Sequence, residues 1–265
     1  MHVKPKKSLG QNFLIDKNIR RKIIEALELK PSDIVLEIGS GKGELTGLIA
    51  QSITKLYALE IDTALCDELN KNLKGYSNIE ILNKDILKFD LKKYFSKPQY
   101  CKSRIKVFGN IPYYISSPII EHLFKFKDII DIIFITVQRE FARRLTAIPG
   151  SKDYGSFSCF VQYYTQTKII LNIKKTCFLP SPKVDSCLVR LRIRTSPCVR
   201  IRDERLFFKI IRAAFNKRRK TLKNSLAGVI PLQKLEEFFK KYSIGRQTRP
   251  ERLSLEDFAH LSDVA

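Results

Sequence analysis

Short apolar runs alternate with stretches of helical spacing along the first half of the chain. Residues 34–38, 56–62, 79–82 and 107–109 read as buried strands, and 129–137 as a further one interrupted only by Asp131. Their apolar character is nearly continuous, as in parallel strands covered on both faces. After the first run, Leu45, Leu48 and Ile49 recur at the interval of a helix face. Strand and helix alternating in this way predict an α/β, Rossmann-like architecture with a doubly wound, mostly parallel sheet. Residues 138–145 read as a helix ended near Pro149-Gly150, and 151–155 as a surface loop. Residues 168–173 and 187–193 read as two later strands flanking a Phe-x-Pro-x-Pro loop, in a hairpin-like edge. Thr195-Ser196-Pro197 marks the expected boundary. It separates a domain of residues 1–196, with a basic arm over about 1–10, from a small helical domain of 197–265.

The strand ends carry the candidate chemistry. The first strand runs into Gly39-Ser40-Gly41-Lys42-Gly43, which lets the backbone approach a ligand at the mouth of a helix. Glu44 stands where the dinucleotide pattern wants Gly or Ala, and Gly43 follows Lys42 where a P-loop wants Ser or Thr. With Glu37 at its head, the loop suits a nucleoside bearing a positive sulfonium; the other reading is a tight strand–helix turn that binds nothing. Glu60, at the second strand end, is spaced to accept hydrogen bonds from ribose hydroxyls. Asp85, after the third, is placed to accept from an adenine amino group. Taken singly, each acid is an ordinary solvated strand-end charge. Together with Asn110 at a fourth strand end they converge, because open parallel sheets bind ligands beyond the carboxyl ends of their strands.

The fourth run ends in Asn110-Ile111-Pro112-Tyr113. The tetrad meets the needs of methylating an exocyclic nucleobase amine, whose lone pair is delocalised into the ring. Acceptors must hold the amine hydrogens, and the Asn110 side-chain oxygen and Ile111 carbonyl supply them. Pro112 fixes its own backbone and restricts Ile111. Tyr113 offers a flat face for the base. By itself, Asn-x-Pro after a strand is a common turn.

Charge narrows the partners. The chain has 49 Lys and Arg against 27 Asp and Glu, a net charge of +22 and a pI near 9.8. RNA, DNA and anionic membrane all suit such an excess. Residues 200–223 hold ten bases and two acids, with Leu206, Phe207, Ile210, Ile211, Ala214 and Phe215 at helical spacing. One face packs and the other is cationic; Lys217, Arg218, Arg219 and Lys220 at the helix end are read as phosphate contacts. Lys4-Pro5-Lys6-Lys7-Ser8 reads as a mobile arm on the RNA side. No apolar run approaches the roughly 20 residues of a membrane span, and a cytoplasmic location is expected. The six cysteines form no Cys-x-x-Cys pair and the three histidines stand apart. A metal site is therefore not expected, which argues against a zinc-dependent deaminase. Nothing in the chain asks for more than a monomer.

Five stretches together resemble one family. These are Gln11-Asn12-Phe13-Leu14, the Glu-x-Gly-x-Gly-x-Gly loop from Glu37, the Asn110–Tyr113 tetrad, and residues 178–186 and 214–226. The chain is similar to the rRNA adenine dimethyltransferases, and most like the type that acts on small-subunit rRNA. The resemblance implies a class I S-adenosylmethionine-dependent methyltransferase fold. It implies S-adenosylmethionine contacted by Asn12, Leu14, Gly39, Glu60, Asp85 and Asn110, with Tyr113 and Phe178 sandwiching a flipped adenine. It implies dimethylation of two adjacent adenosines in the 3′-terminal hairpin loop, on rRNA or an assembling small subunit. Tyr114 stands where relatives also carry Asn, a difference expected to affect packing. Two alternatives share parts of the pattern: a large-subunit resistance methyltransferase and a non-catalytic nucleic-acid-binding or assembly factor. The Arg-Arg-Lys block within 215–226 speaks against the first, and intact Glu37, Gly39, Glu60, Asp85 and Asn110 against the second.

Overall fold

The structure, a computed structural model, describes residues 4–6, 9–95, 104–217 and 219–265. The strands are β1 (Phe13–Leu14), β2 (Ile34–Ile38), β3 (Lys55–Glu60), β4 (Ile79–Asn83), β5 (Ile105–Asn110), β6 (Ile130–Gln138), β7 (Thr165–Ile173), β8 (Phe178–Leu179) and β9 (Ser186–Ile193). Seven of them form one sheet in the order β4-β3-β2-β5-β6-β9-β7. The pairs from β4 through to β6 are parallel, and β9 runs antiparallel to β6. The expected strands are all present, within a few residues of their predicted ends.

Strand order reverses on either side of β2, since β3 lies next to it on one side and β5 on the other. This is the switch point at which such sheets open a crevice. Register aligns the strand ends there: Ile38 pairs with both Leu59 and Gly109, and Glu60 pairs with Asn83. Gly39, Glu60, Asp85 and Asn110 therefore leave the sheet along one edge.

The chain divides into two compact units, one of residues 1–142 and 168–193, the other of 143–167 and 194–265. In the first, Lys17–Ala26 and Glu44–Ala50 are helices whose Ile23, Leu45 and Ile49 join Val35, Leu56, Phe108 and Phe134 in a buried cluster. Asp16 and Asp62 cap their helices through the Ile19 and Ala64 amides, contacts worth about 1 kcal/mol each. A separate ribbon pairs β1 with β8 antiparallel, Phe13 against Leu179 and Leu14 against Phe178. His122 packs, with Nε2 2.9 Å from the Phe89 carbonyl oxygen.

The second unit is helical, and takes in Ser156–Tyr164 as well as Glu204–Phe215, Leu222–Leu226, Leu232–Lys241 and Leu255–Val264. Its core is rich in aromatic rings in edge contact, Tyr163 with Phe208 and Phe207 with Phe208 among them. The Glu204–Phe215 helix buries Phe207, Ile210, Ile211 and Ala214 as its spacing predicts. Cys66, Cys159, Cys177 and Cys187 are buried; Cys101 lies outside the described residues.

Candidate active site

The glycine loop is pinned from the neighbouring strand β3. Gly39 and Gly41 take φ of +73° and +57°, the left-handed region that side chains disfavour. The Gly39 amide donates to the Leu59 carbonyl at 2.8 Å. Glu60 braces the turn: its Oε2 accepts from the Gly41 amide at 2.9 Å and its Oε1 from the Asp62 amide at 3.0 Å. Burial raises the Glu60 carboxyl pKa above its usual range, and these backbone donors pull it back.

One cavity opens at this edge, lined by Asn12, Gly39, Glu60, Asp85, Asn110, Pro112 and Tyr113 among others. Asp85 accepts from the Leu87 amide through Oδ1 at 2.9 Å, which leaves Oδ2 for another donor. Ile61 and Ile86 give the cavity apolar walls beside these acids. The Asn110 amide nitrogen donates to the Asn12 carbonyl at 3.0 Å, so its Oδ1 is the group left to the cavity. The Tyr113 hydroxyl lies 2.6 Å from Ser186 Oγ, and burial raises its pKa.

Two expected site residues do not line this cavity. The Phe178 ring is 2% exposed and packs in the apolar cluster with Leu14, which is 5% exposed. Expected over an adenine face, Phe178 is instead turned inward, because β1–β8 pairing sends Leu14 and Phe178 to the core and leaves Leu179 60% exposed. The Leu14 carbonyl is already engaged by Arg20, at 2.8 Å from Nε and 2.6 Å from Nη2. Glu37 also stands apart from the cavity. It is buried in β2, and desolvation pushes its carboxyl up to about 7, against the pull of the Thr46 and Ser40 hydroxyls.

Residues 2–265 match the family of ribosomal RNA adenine dimethylases. The chain belongs to the ribosomal RNA adenine dimethylase family. It is 41% identical over 258 residues to ribosomal RNA small subunit methyltransferase A of Clostridium botulinum (strain Loch Maree / Type A3), covering 97% of this chain and 92% of that one. The protein of the same name from Geobacillus sp. (strain WCH70) is 41% identical over 264 residues, covering 98% and 91%. Among solved structures, a dimethyladenosine transferase from Plasmodium falciparum superposes with a TM-score of 0.79 at 27% identity, over 94% of this chain and 95% of that one. The 23S rRNA methyltransferase ErmE superposes with a TM-score of 0.73 at 26% identity, over 95% and 98%.

Dimethylases of this family use S-adenosylmethionine as methyl donor. The cavity fits that cofactor: a buried carboxylate faces a glycine turn, an aspartate oxygen lies free, and apolar walls flank both. Among the described residues no group of three His, Cys, Asp or Glu is placed to hold a metal ion. No helix among them is long and apolar enough to cross a membrane.

The sequence reading missed a contact in this dimethylase. Lys6, expected on a mobile arm, is docked: its Nζ lies 2.8 Å from Asp62 Oδ1, and Gln11 Nε2 lies 3.2 Å from Asp62 Oδ2. The hint available was Asp62 two residues past Glu60, which turns back towards the same strand edge. Lys217, Arg219 and Lys220 are exposed in the turn after the Glu204–Phe215 helix. Among the described residues none of the three is in an ion pair. Arg218 lies outside those residues.

Proposed function

We propose that this chain dimethylates the exocyclic amines of two adjacent adenosines in the 3′-terminal hairpin loop of small-subunit rRNA, during assembly of the subunit. The observation that carries the reading is Asn110 in the cavity wall with its amide nitrogen donating to the Asn12 carbonyl, which leaves Oδ1 as the acceptor for a target amine. A base extruded from its loop, at a cost of a few kcal/mol, reaches the cavity. The Tyr113 ring carries the base, held by its hydroxyl on Ser186. Asn110 Oδ1 and the Ile111 carbonyl accept the two amine hydrogens and draw the nitrogen lone pair out of the ring. Bound in this cavity, S-adenosylmethionine would supply the methyl on a sulfonium, its sulfur leaving as a thioether as the amine nitrogen takes that carbon. The methylated amine then loses its proton to water, so no strong base is required. Positioning and fixed dipoles do the catalytic work.

Asn12, Gly39, Glu60 and Asp85 hold the cofactor, with Glu60 on the ribose and Asp85 on the adenine. Residues 197–265 serve as the RNA-binding module through Lys217, Arg218, Arg219 and Lys220, which fix orientation without reading sequence. The enzyme works as a cytoplasmic monomer. Identity of 41% to small-subunit methyltransferases over nearly the whole chain favours the small subunit as substrate. Replacing Asn110 tests the chemistry. In Asn110→Ala, methyl transfer falls by at least about 100-fold, the scale of one lost oxyanion-type contact, while cofactor affinity by calorimetry weakens only modestly. Transfer at the wild-type rate would remove Asn110 from the mechanism.

A further inference from the structure

We propose that Asp62 is a positioning residue for methyl transfer: it holds Lys6 and Gln11, and with Gln11 the neighbouring Asn12 at the cavity, so that the Asn12 carbonyl fixes the orientation of the Asn110 amide. This rests on Asn110 being the acceptor for the target amine. Two sets of hydrogen bonds, joined through the peptide bond between Gln11 and Asn12, make the connection. The Asp62 side chain is 1% exposed, and it is anchored to the protein through the Ala64 amide at 3.1 Å. It receives Lys6 Nζ at 2.8 Å and Gln11 Nε2 at 3.2 Å. The Lys6 amide donates to Gln11 Oε1 at 2.7 Å, which closes the ring. Asn12 Nδ2 donates to the Gly10 carbonyl at 3.2 Å and stiffens the next turn. The Asn12 carbonyl then accepts from Asn110 Nδ2 at 3.0 Å.

The chemistry explains why such a series matters. A primary amide fits its site equally well in two orientations half a turn apart, and only its partners choose between them. With nitrogen towards the cavity, Asn110 would aim donors at the hydrogens of the target amine and repel it. An acceptor behind the amide selects the productive orientation, and the Asn12 carbonyl is that acceptor. Capping the Thr63–Asn72 helix requires Asp62 to reach Ala64 alone. Its contacts to Lys6 and Gln11 lie outside that duty. Burial would raise the Asp62 pKa, but the bonds from Lys6 and Gln11 outweigh it and hold the carboxyl below its ordinary range, so the anchor stays charged.

Lys6→Ala and Gln11→Ala break the series while leaving the helix cap intact, and Gln11→Glu sets a like charge against Asp62 in nearly the same shape. Two readouts apply to the full chain with S-adenosylmethionine bound. One is kcat at saturating cofactor and rRNA. The other is the Asn110 side-chain NH2 pair in a nitrogen–proton correlation spectrum, assigned by its loss in Asn110→Ala. The expected result is a roughly tenfold fall in kcat, within the range that small misplacements cause, together with movement of the Asn110 signals towards those of exposed asparagines. Lys6→Arg keeps both near wild type. Unmoved Asn110 signals in the Ala variants overturn the proposal whatever kcat does, and so does an undiminished kcat with moved signals. If the wild-type protein methylates no rRNA, the functional reading fails, while the spectrum still decides whether Asp62 sets the Asn110 orientation.

Discussion

Asn110 and Glu37 lie near the same strand edge, yet their surroundings give them opposite duties. Asn110 faces the cavity with one oxygen unspent. Glu37 is sealed in β2, and burial pushes its carboxyl up to about 7. A raised carboxyl binds its proton more tightly when folded, so its contribution is fully present below the unfolded value of 4.5 and is lost as pH rises through 7. Unfolding of wild type and Glu37→Gln, followed from pH 5 to pH 8.5, should therefore diverge. The variant gains about 3 kcal/mol relative to wild type across that range. A difference independent of pH would show that Glu37 is ionised at no such cost. The acids at strand ends were legible because β-strand spacing and the carboxyl-end rule place them. The inward turn of Phe178 was not, because it is set by pairing with Leu14, a partner far away in the chain.

The elements themselves were largely written in local pattern. Apolar runs bounded by Gly, Asn and Pro gave the parallel strands, and helical spacing gave Glu204–Phe215. The β1–β8 ribbon was not legible, since two-residue strands carry no periodicity. Nor was the placement of Ser156–Tyr164 in the second unit, which depends on long-range packing of Tyr163 and Phe160 against Phe208. Close contact between elements also explains a residue that motif reading passed over. A Cβ on Gly109 would lie 2.8 Å from Ile111 Cγ2 and 3.3 Å from both Cβ and the carbonyl oxygen of Ile38. Ile111 is buried and branched, so it has little room to give. Gly109→Ala should thus cost about 1–3 kcal/mol by overpacking, and shift the tetrad enough to lower kcat. Denaturant unfolding and turnover measured together check this; unchanged stability would mean the β2–β5 edge is looser than its register implies.

At the scale of the whole molecule, a charge of +22 is read as an interaction with a polyanion. Lys217, Arg219 and Lys220 are exposed, and among the described residues none of the three takes part in an ion pair. Replacing Lys217, Arg219 and Lys220 by Ala should leave thermal stability unchanged. It should weaken rRNA binding and flatten its log–log salt dependence by about 2 to 3, one counterion-release increment per lost phosphate contact. An unaltered slope would move the RNA contacts elsewhere on the surface. The central claim is methylation of small-subunit adenosines, and it is tested most directly by transfer of a labelled methyl from S-adenosylmethionine. Unmethylated small subunits and, separately, large subunits are the substrates, with nucleoside analysis of each product. Dimethyladenosine in the small subunit alone is the predicted result; label in the large subunit, or in neither, would contradict it.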